Sequence, residues 1–126
     1  MYVLDSNILI SYLNEDAGVV KELSRLRDLD SRFFISAVTE IEVLSLPKLN
    51  VQEVSKLQMF LGTFTVIPLD SQLAKVAADV RRRYGFSLGD SVVIATAQLT
   101  SSILITNDKE ILRKAREIIK IKSAIS

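Results

Sequence analysis

Four acidic residues stand where their neighbours could put them to chemical use: Asp5, Glu42, Asp90 and Asp108. Asp5 follows the apolar run Tyr2-Val3-Leu4, and Asp108 comes soon after Ile103-Leu104-Ile105. Asp90 opens a long apolar stretch, and Glu42 lies about a turn and a half into the segment behind Phe33-Phe34-Ile35. The chain has no histidine and no cysteine. That removes the usual general base, the usual transition-metal ligands, disulfides, thiol redox chemistry, zinc ribbons and iron–sulfur clusters. Oxygen chemistry remains. Carboxylates gathered at one place repel each other, and a divalent cation is the natural compensation. Ligands that are all oxygen suit Mg²⁺ or Mn²⁺ over zinc or copper. Such an ion can orient and activate a water for in-line attack on a phosphodiester, and a second can stabilise the leaving oxygen.

Each acid also has a purely local explanation. Asp5 and Asp108 are good helix N-caps, Asp90 suits the first turn of a helix, and Glu42 could be a solvated helix position. Caps need no shared location, so the four together say more than any one alone. Glu40 is two residues from Glu42 and points elsewhere on a helix. Glu15, Asp16, Asp28, Asp30 and Asp70 read as loop and turn residues. Ser6, Asn7 and Thr106 sit beside the acids and are expected to hydrogen-bond the ligands or their waters, besides capping helices. Lys48, Arg81, Arg82, Arg83 and Lys109 are the expected phosphate contacts, although the arginine run also fits a solvated helix end.

These residues must be positioned by strands and helices in alternation. Tyr2-Val3-Leu4 predicts a strand, and Asp5-Ser6-Asn7 caps a helix carrying Ile8, Leu9, Tyr12 and Leu13. A second helix is expected from Val19 to Leu29, then a strand over Phe33-Phe34-Ile35 and a helix from Ser36 through Leu44, ended by Pro47. Val51 to Leu61 is helical in period, and 63–67 reads as a strand stopped by Pro68. The stripe Leu69, Leu73, Val76, Ala77, Val80 and Tyr84 predicts an amphipathic helix with Gly85 as its C-cap. Leu88 to Leu99 is apolar nearly all round, as a buried central helix would be. Residues 102–106 form a strand, a helix follows Asp108 through Ala115, and 118–121 is a candidate edge strand. The expected fold is a three-layer α/β/α sandwich with a mostly parallel central sheet. Parallel strands bring their carboxyl ends to a shared rim, where such sheets place their sites.

At 126 residues, 48% of them apolar, the chain is read as one domain spanning 1–126 with a packed core. Residues 1–70 hold 6 Lys/Arg against 10 Asp/Glu, and residues 71–126 hold 10 against 5. An acidic half beside a basic half suits acids that bind metal and bases that meet phosphate. Asp5 interrupts the apolar start before a signal peptide could form, and the uncharged stretch 91–107 is too polar to span a bilayer. A cytoplasmic protein without a membrane partner is expected.

Four segments together resemble the PIN-domain family, most closely its VapC-type toxins. They are Val3-Leu4-Asp5-Ser6-Asn7, Ser36-Ala37-Val38-Thr39-Glu40-Ile41-Glu42-Val43, Leu88-Gly89-Asp90-Ser91-Val92-Val93-Ile94-Ala95-Thr96-Ala97 and Leu104-Ile105-Thr106-Asn107-Asp108. Their order and spacing match from end to end. Ser91 stands where alanine is usual and Val43 where leucine is common; neither removes a ligand. The resemblance implies a parallel sheet between helices, Mg²⁺ or Mn²⁺ on Asp5, Glu42, Asp90 and Asp108, and endonucleolytic cleavage of RNA. For the toxins it also implies a homodimer and a cognate VapB-type antitoxin. An RNA-processing nuclease without an antitoxin, or a PIN module that binds without cutting, are the alternatives. A phosphoacceptor receiver domain would need paired acids after the first strand, and Asp5-Ser6-Asn7 lacks the pair.

Overall fold

Val3 and Leu4, Phe34 and Ile35, and Leu104 and Ile105 are consecutive apolar pairs, and successive strand residues point to opposite faces. One member of each pair (Leu4, Ile35, Ile105) packs with Ile8, Leu9, Leu23, Leu26 and Leu61. The other (Val3, Phe34, Leu104) packs with Val80, Phe86, Val93, Ile94 and Ile111. A sheet apolar on both faces must be covered on both, and it is.

The computed structural model describes residues 1–29 and 31–124. Asp30, read above as a turn acid, lies outside them. The order is β1 (Tyr2–Leu4), α1 (Ser6–Leu13), α2 (Ala17–Asp28), β2 (Phe33–Ser36), α3 (Ala37–Leu44), α4 (Val51–Leu61), β3 (Thr65–Ile67), α5 (Ser71–Tyr84), α6 (Leu88–Leu99), β4 (Ile103–Ile105), α7 (Lys109–Lys114) and β5 (Ile121–Lys122). The five strands run β3-β2-β1-β4-β5 and every pairing is parallel, so the sheet is wholly rather than mostly parallel. The layers are helix, sheet, helix. No helix among the described residues is long and apolar enough to cross a membrane.

Capping explains where the helices begin. Asp16 and Asp70, read from the sequence as loop acids, are N-caps: Asp16 Oδ1 accepts from the Val19 amide and Asp70 Oδ1 from Leu73. The second cap moves the start of α5 to Ser71 and leaves Leu69 outside it, 46% exposed. Gly85 ends α5 at φ 73°, a left-handed conformation that favours glycine. Residues 63 and 64 belong to the turn closing α4, so β3 starts two residues later than the apolar run suggests. The edge strand falls on Ile121–Lys122, because Ile118 and Ile119 turn back onto the Ala115 carbonyl. Seven consecutive residues of α6, Ser91 to Ala97, are buried. Its polar members are satisfied there, with the Thr96 hydroxyl donating to the Val92 carbonyl at 2.7 Å.

Candidate metal centre

The chain leaves β1 on one side for β2 and β3 and later returns on the other for β4 and β5. The crevice between the carboxyl ends of β1 and β4 is therefore the topological switch point. Leu4 pairs in register with Ile105, which brings Asp5 level with Thr106 although 101 positions separate them.

Asp5 is held from both sides. Its Oδ1 accepts from the Ile8 amide at 2.8 Å, capping α1, and its Oδ2 accepts from the Thr106 hydroxyl. The same Thr106 oxygen accepts from the Asp108 amide at 3.0 Å, so one buried hydroxyl ties the two strand-end acids together. Asp108 Oδ1 caps α7 by accepting from Ile111 at 2.9 Å. Capping and gathering at the rim coexist in both aspartates.

Asp5 is 6% exposed, the only buried ionisable side chain among the described residues. Burial pushes its carboxyl up to about 6; the Thr106 and Ile8 bonds pull the other way, and Asp108 and Asp90 add repulsion. Asp90 lies in the first turn of α6, whose N-cap Ser87 accepts from the Asp90 amide at 3.2 Å. Its carboxyl is raised by burial, then by Asp108 and, more weakly, by Glu110. Glu42, on α3, is raised by burial and by Asp90, with a Ser6 hydrogen bond opposing. Its carboxylate lies over the first turn of α6, where a Cβ at Gly89 would stand 3.5 Å from Oε1.

The four acids expected from sequence thus act on one another at a single rim. They do not form a closed cage: among the described residues no group of three acidic side chains could hold an ion by itself. The donor set nonetheless fits a hard divalent cation. It is all oxygen, and no lysine or arginine figures among the groups that shift these three carboxyls. Mg²⁺ keeps several waters and takes one or two carboxylates directly, so an open set of acids suits it.

Thr106 bonds Asp5 and Ser6 pulls the Glu42 carboxyl down, whereas Asn7 is exposed with no described hydrogen bond to the acids. Lys109 is exposed and directly follows Asp108; Lys48 is exposed in the loop after α3, at φ 67°. Arg82 and Arg83 both pair with Asp79, at 2.7 and 3.0 Å, while Arg81 is exposed with no described partner. Sequence reasoning missed Glu110 and Gly89. The first was legible as the second residue of a helix capped by Asp108, and the second as the glycine next to Asp90. It also missed a groove of about 700 Å³ lined by Tyr12, Arg27, Arg32, Phe33, Phe60 and Phe64 among others. None of the four acids lines it, and charge and topology outweigh volume in locating the chemistry.

The PIN-domain family model matches residues 2–117. No curated protein matches the sequence. Among solved structures, a toxin–antitoxin complex from Klebsiella pneumoniae superposes with a TM-score of 0.84 at 25% identity, covering 100% of this chain and 99% of that one. VapBC2 from Rickettsia felis, bound to a DNA fragment from their promoter, gives 0.79 at 21% identity, with 97% of each chain covered. DNA-bound VapBC from Salmonella typhimurium gives 0.78 at 19%, covering 97% and 96%.

Proposed function

The chain belongs to the PIN-domain family, and from that premise we propose that it is a Mg²⁺- or Mn²⁺-dependent endoribonuclease, the toxin of a VapBC-type toxin–antitoxin pair. One observation carries the reading: Asp5 is buried at the switch point, bonded through Thr106, and faced by Asp90 and Asp108 with Glu42 beyond. Asp5, Glu42, Asp90 and Asp108 would hold the ion. When bound, the ion supplies Lewis acidity, polarising the phosphodiester and acidifying water for in-line attack. The chain's own groups do the rest. Thr106 and the Ile8 amide fix both oxygens of Asp5, so its direction is set before any ligand arrives. The Ser6 hydroxyl steadies Glu42, and the Ser87 cap holds the turn that carries Asp90. Lys109, beside Asp108, would meet a phosphate; Arg81, Arg82, Arg83 and Lys48 would make weaker contacts.

The toxin assignment rests on the fold's likeness to the Klebsiella toxin–antitoxin complex over essentially both chains. It brings with it an antitoxin of the VapB type. A homodimer is proposed with it, supported by Ile41 and Leu88, which are 62% and 61% exposed beside Glu42 and Gly89.

RNA cleavage by the purified chain, with Mn²⁺ or with EDTA, tests the proposal. Cleavage should require the divalent ion, and Asp5→Asn and Asp90→Asn should each reduce it to background while the circular dichroism spectrum stays unchanged. An Asp5→Asn protein that cuts as fast as the parent would sink the assignment.

A further inference from the structure

Gly89 has no conformational need to be glycine. It is the second residue of α6, a regular helix, and among the described residues only Gly85 is a glycine with positive φ. Alanine would form the helix better. Packing does not forbid a side chain either. The three nearest heavy atoms to a Cβ built at Gly89 all belong to the Glu42 carboxylate: Oε1 at 3.5 Å, Cδ and Oε2 at 3.8 Å. These are ordinary contact distances, and a methyl would fit. What it would change is the surroundings of Glu42. The carboxylate lies against the amino end of α6, whose partial positive charge favours an anion there. A methyl in contact would replace water on that face, at a cost to the ionised form. It would also narrow the space for a cation that keeps its own waters.

We infer that Gly89 is a positioning residue for Glu42: its missing side chain keeps that carboxylate hydrated and open toward a hydrated divalent ion. The inference rests on the metal-site reading above and deepens it. It makes Gly89 a place where helix stability is sacrificed for ion binding, as happens at functional sites.

Calorimetric titration of the full chain with MnCl₂ alone, beside thermal melts in EDTA, tests it. Gly89→Ala should melt higher in EDTA, yet bind Mn²⁺ roughly tenfold more weakly, the loss typical of groups that orient a ligand. Gly89→Leu should bind more weakly still. In a Glu42→Gln background, Gly89→Ala should leave Mn²⁺ affinity unchanged, because the carboxylate through which it acts is gone. An alanine variant that binds Mn²⁺ as tightly as the parent overturns the inference and leaves the metal site standing. So does an equal loss in the Glu42→Gln background. A parent chain that takes up no Mn²⁺ removes the metal site, and this inference with it.

Discussion

Asp5 carries two tasks that pull in opposite directions. As a cap and hydrogen-bond acceptor it stabilises α1 and the β1–β4 junction; as a buried anion facing two others it strains the fold. Its carboxyl is displaced from 3.8 to about 6, so keeping it ionised costs on the order of 3 kcal/mol. The sign of the pH dependence follows. Between about pH 4 and 6 the folded chain binds a proton that the unfolded chain has lost, so stability falls as pH rises through that window and then levels off. The raised carboxyls of Glu42 and Asp90 add to the same trend. Melts in EDTA should therefore show a lower Tm at pH 7 than at pH 5, and Asp5→Asn should flatten the profile. Asparagine caps a helix as well as aspartate, so that variant should also melt higher than the parent at pH 7. A marked destabilisation would mean that the charges at this rim do not oppose one another.

The elements succeed or fail at their ends. Six helices begin on an aspartate or serine whose side chain accepts from an amide three residues on: α1, α2, α3, α5, α6 and α7. At α3 the Ser36 hydroxyl does this for Thr39 at 3.0 Å and also donates to the Thr39 hydroxyl, both buried. This settles the start of the helix that carries Glu42. The junction between α5 and α6 is tighter, with Gly85 left-handed and only Phe86 and Ser87 before α6. Any Cβ at 85 is strained by its φ, although no atom lies near enough to clash. Gly85→Ala should therefore cost about 1–2 kcal/mol in urea denaturation, with the slope unchanged. Gly85→Asn should recover part of it, since asparagine tolerates that conformation. Equal losses for both variants would point to packing, not backbone strain.

For the whole molecule, the proposed function has the acidic rim hold the ion and bases of the second half meet the phosphates. The contact pattern ranks the bases. Arg82 and Arg83 are already engaged with Asp79, whereas Lys109 is exposed beside Asp108. Exposed ion pairs are individually weak, so Arg82 and Arg83 are tethered more than neutralised. In an Asp5→Asn background, chosen to abolish cleavage on the proposed reading, Lys109→Gln should weaken binding of single-stranded RNA. It should also lower the salt-dependence slope by about 0.7, one phosphate contact. Arg82→Gln should change the slope less. The reverse order would move the RNA path from α7 to the end of α5.

Much of this architecture was legible in the linear order of residues, because its signals are local. Apolar pairs mark strands buried on two sides, a 3.6-residue period marks helices, and caps and glycines mark their ends. The absence of histidine and cysteine limits any metal to a hard ion held by oxygen. Boundaries were misread where a cap competed with an apolar residue, at Leu69 and Asp70, or where a turn consumed one, at Ile118. What tertiary structure alone decided was adjacency. Strand order sets β1 beside β4, joins Thr106 to Asp5, lays Glu42 over Gly89 and lets the charge of Glu110 reach Asp90. Those partners lie up to 101 positions apart, and what selects them is the burial of both sheet faces at once, a constraint no short window contains.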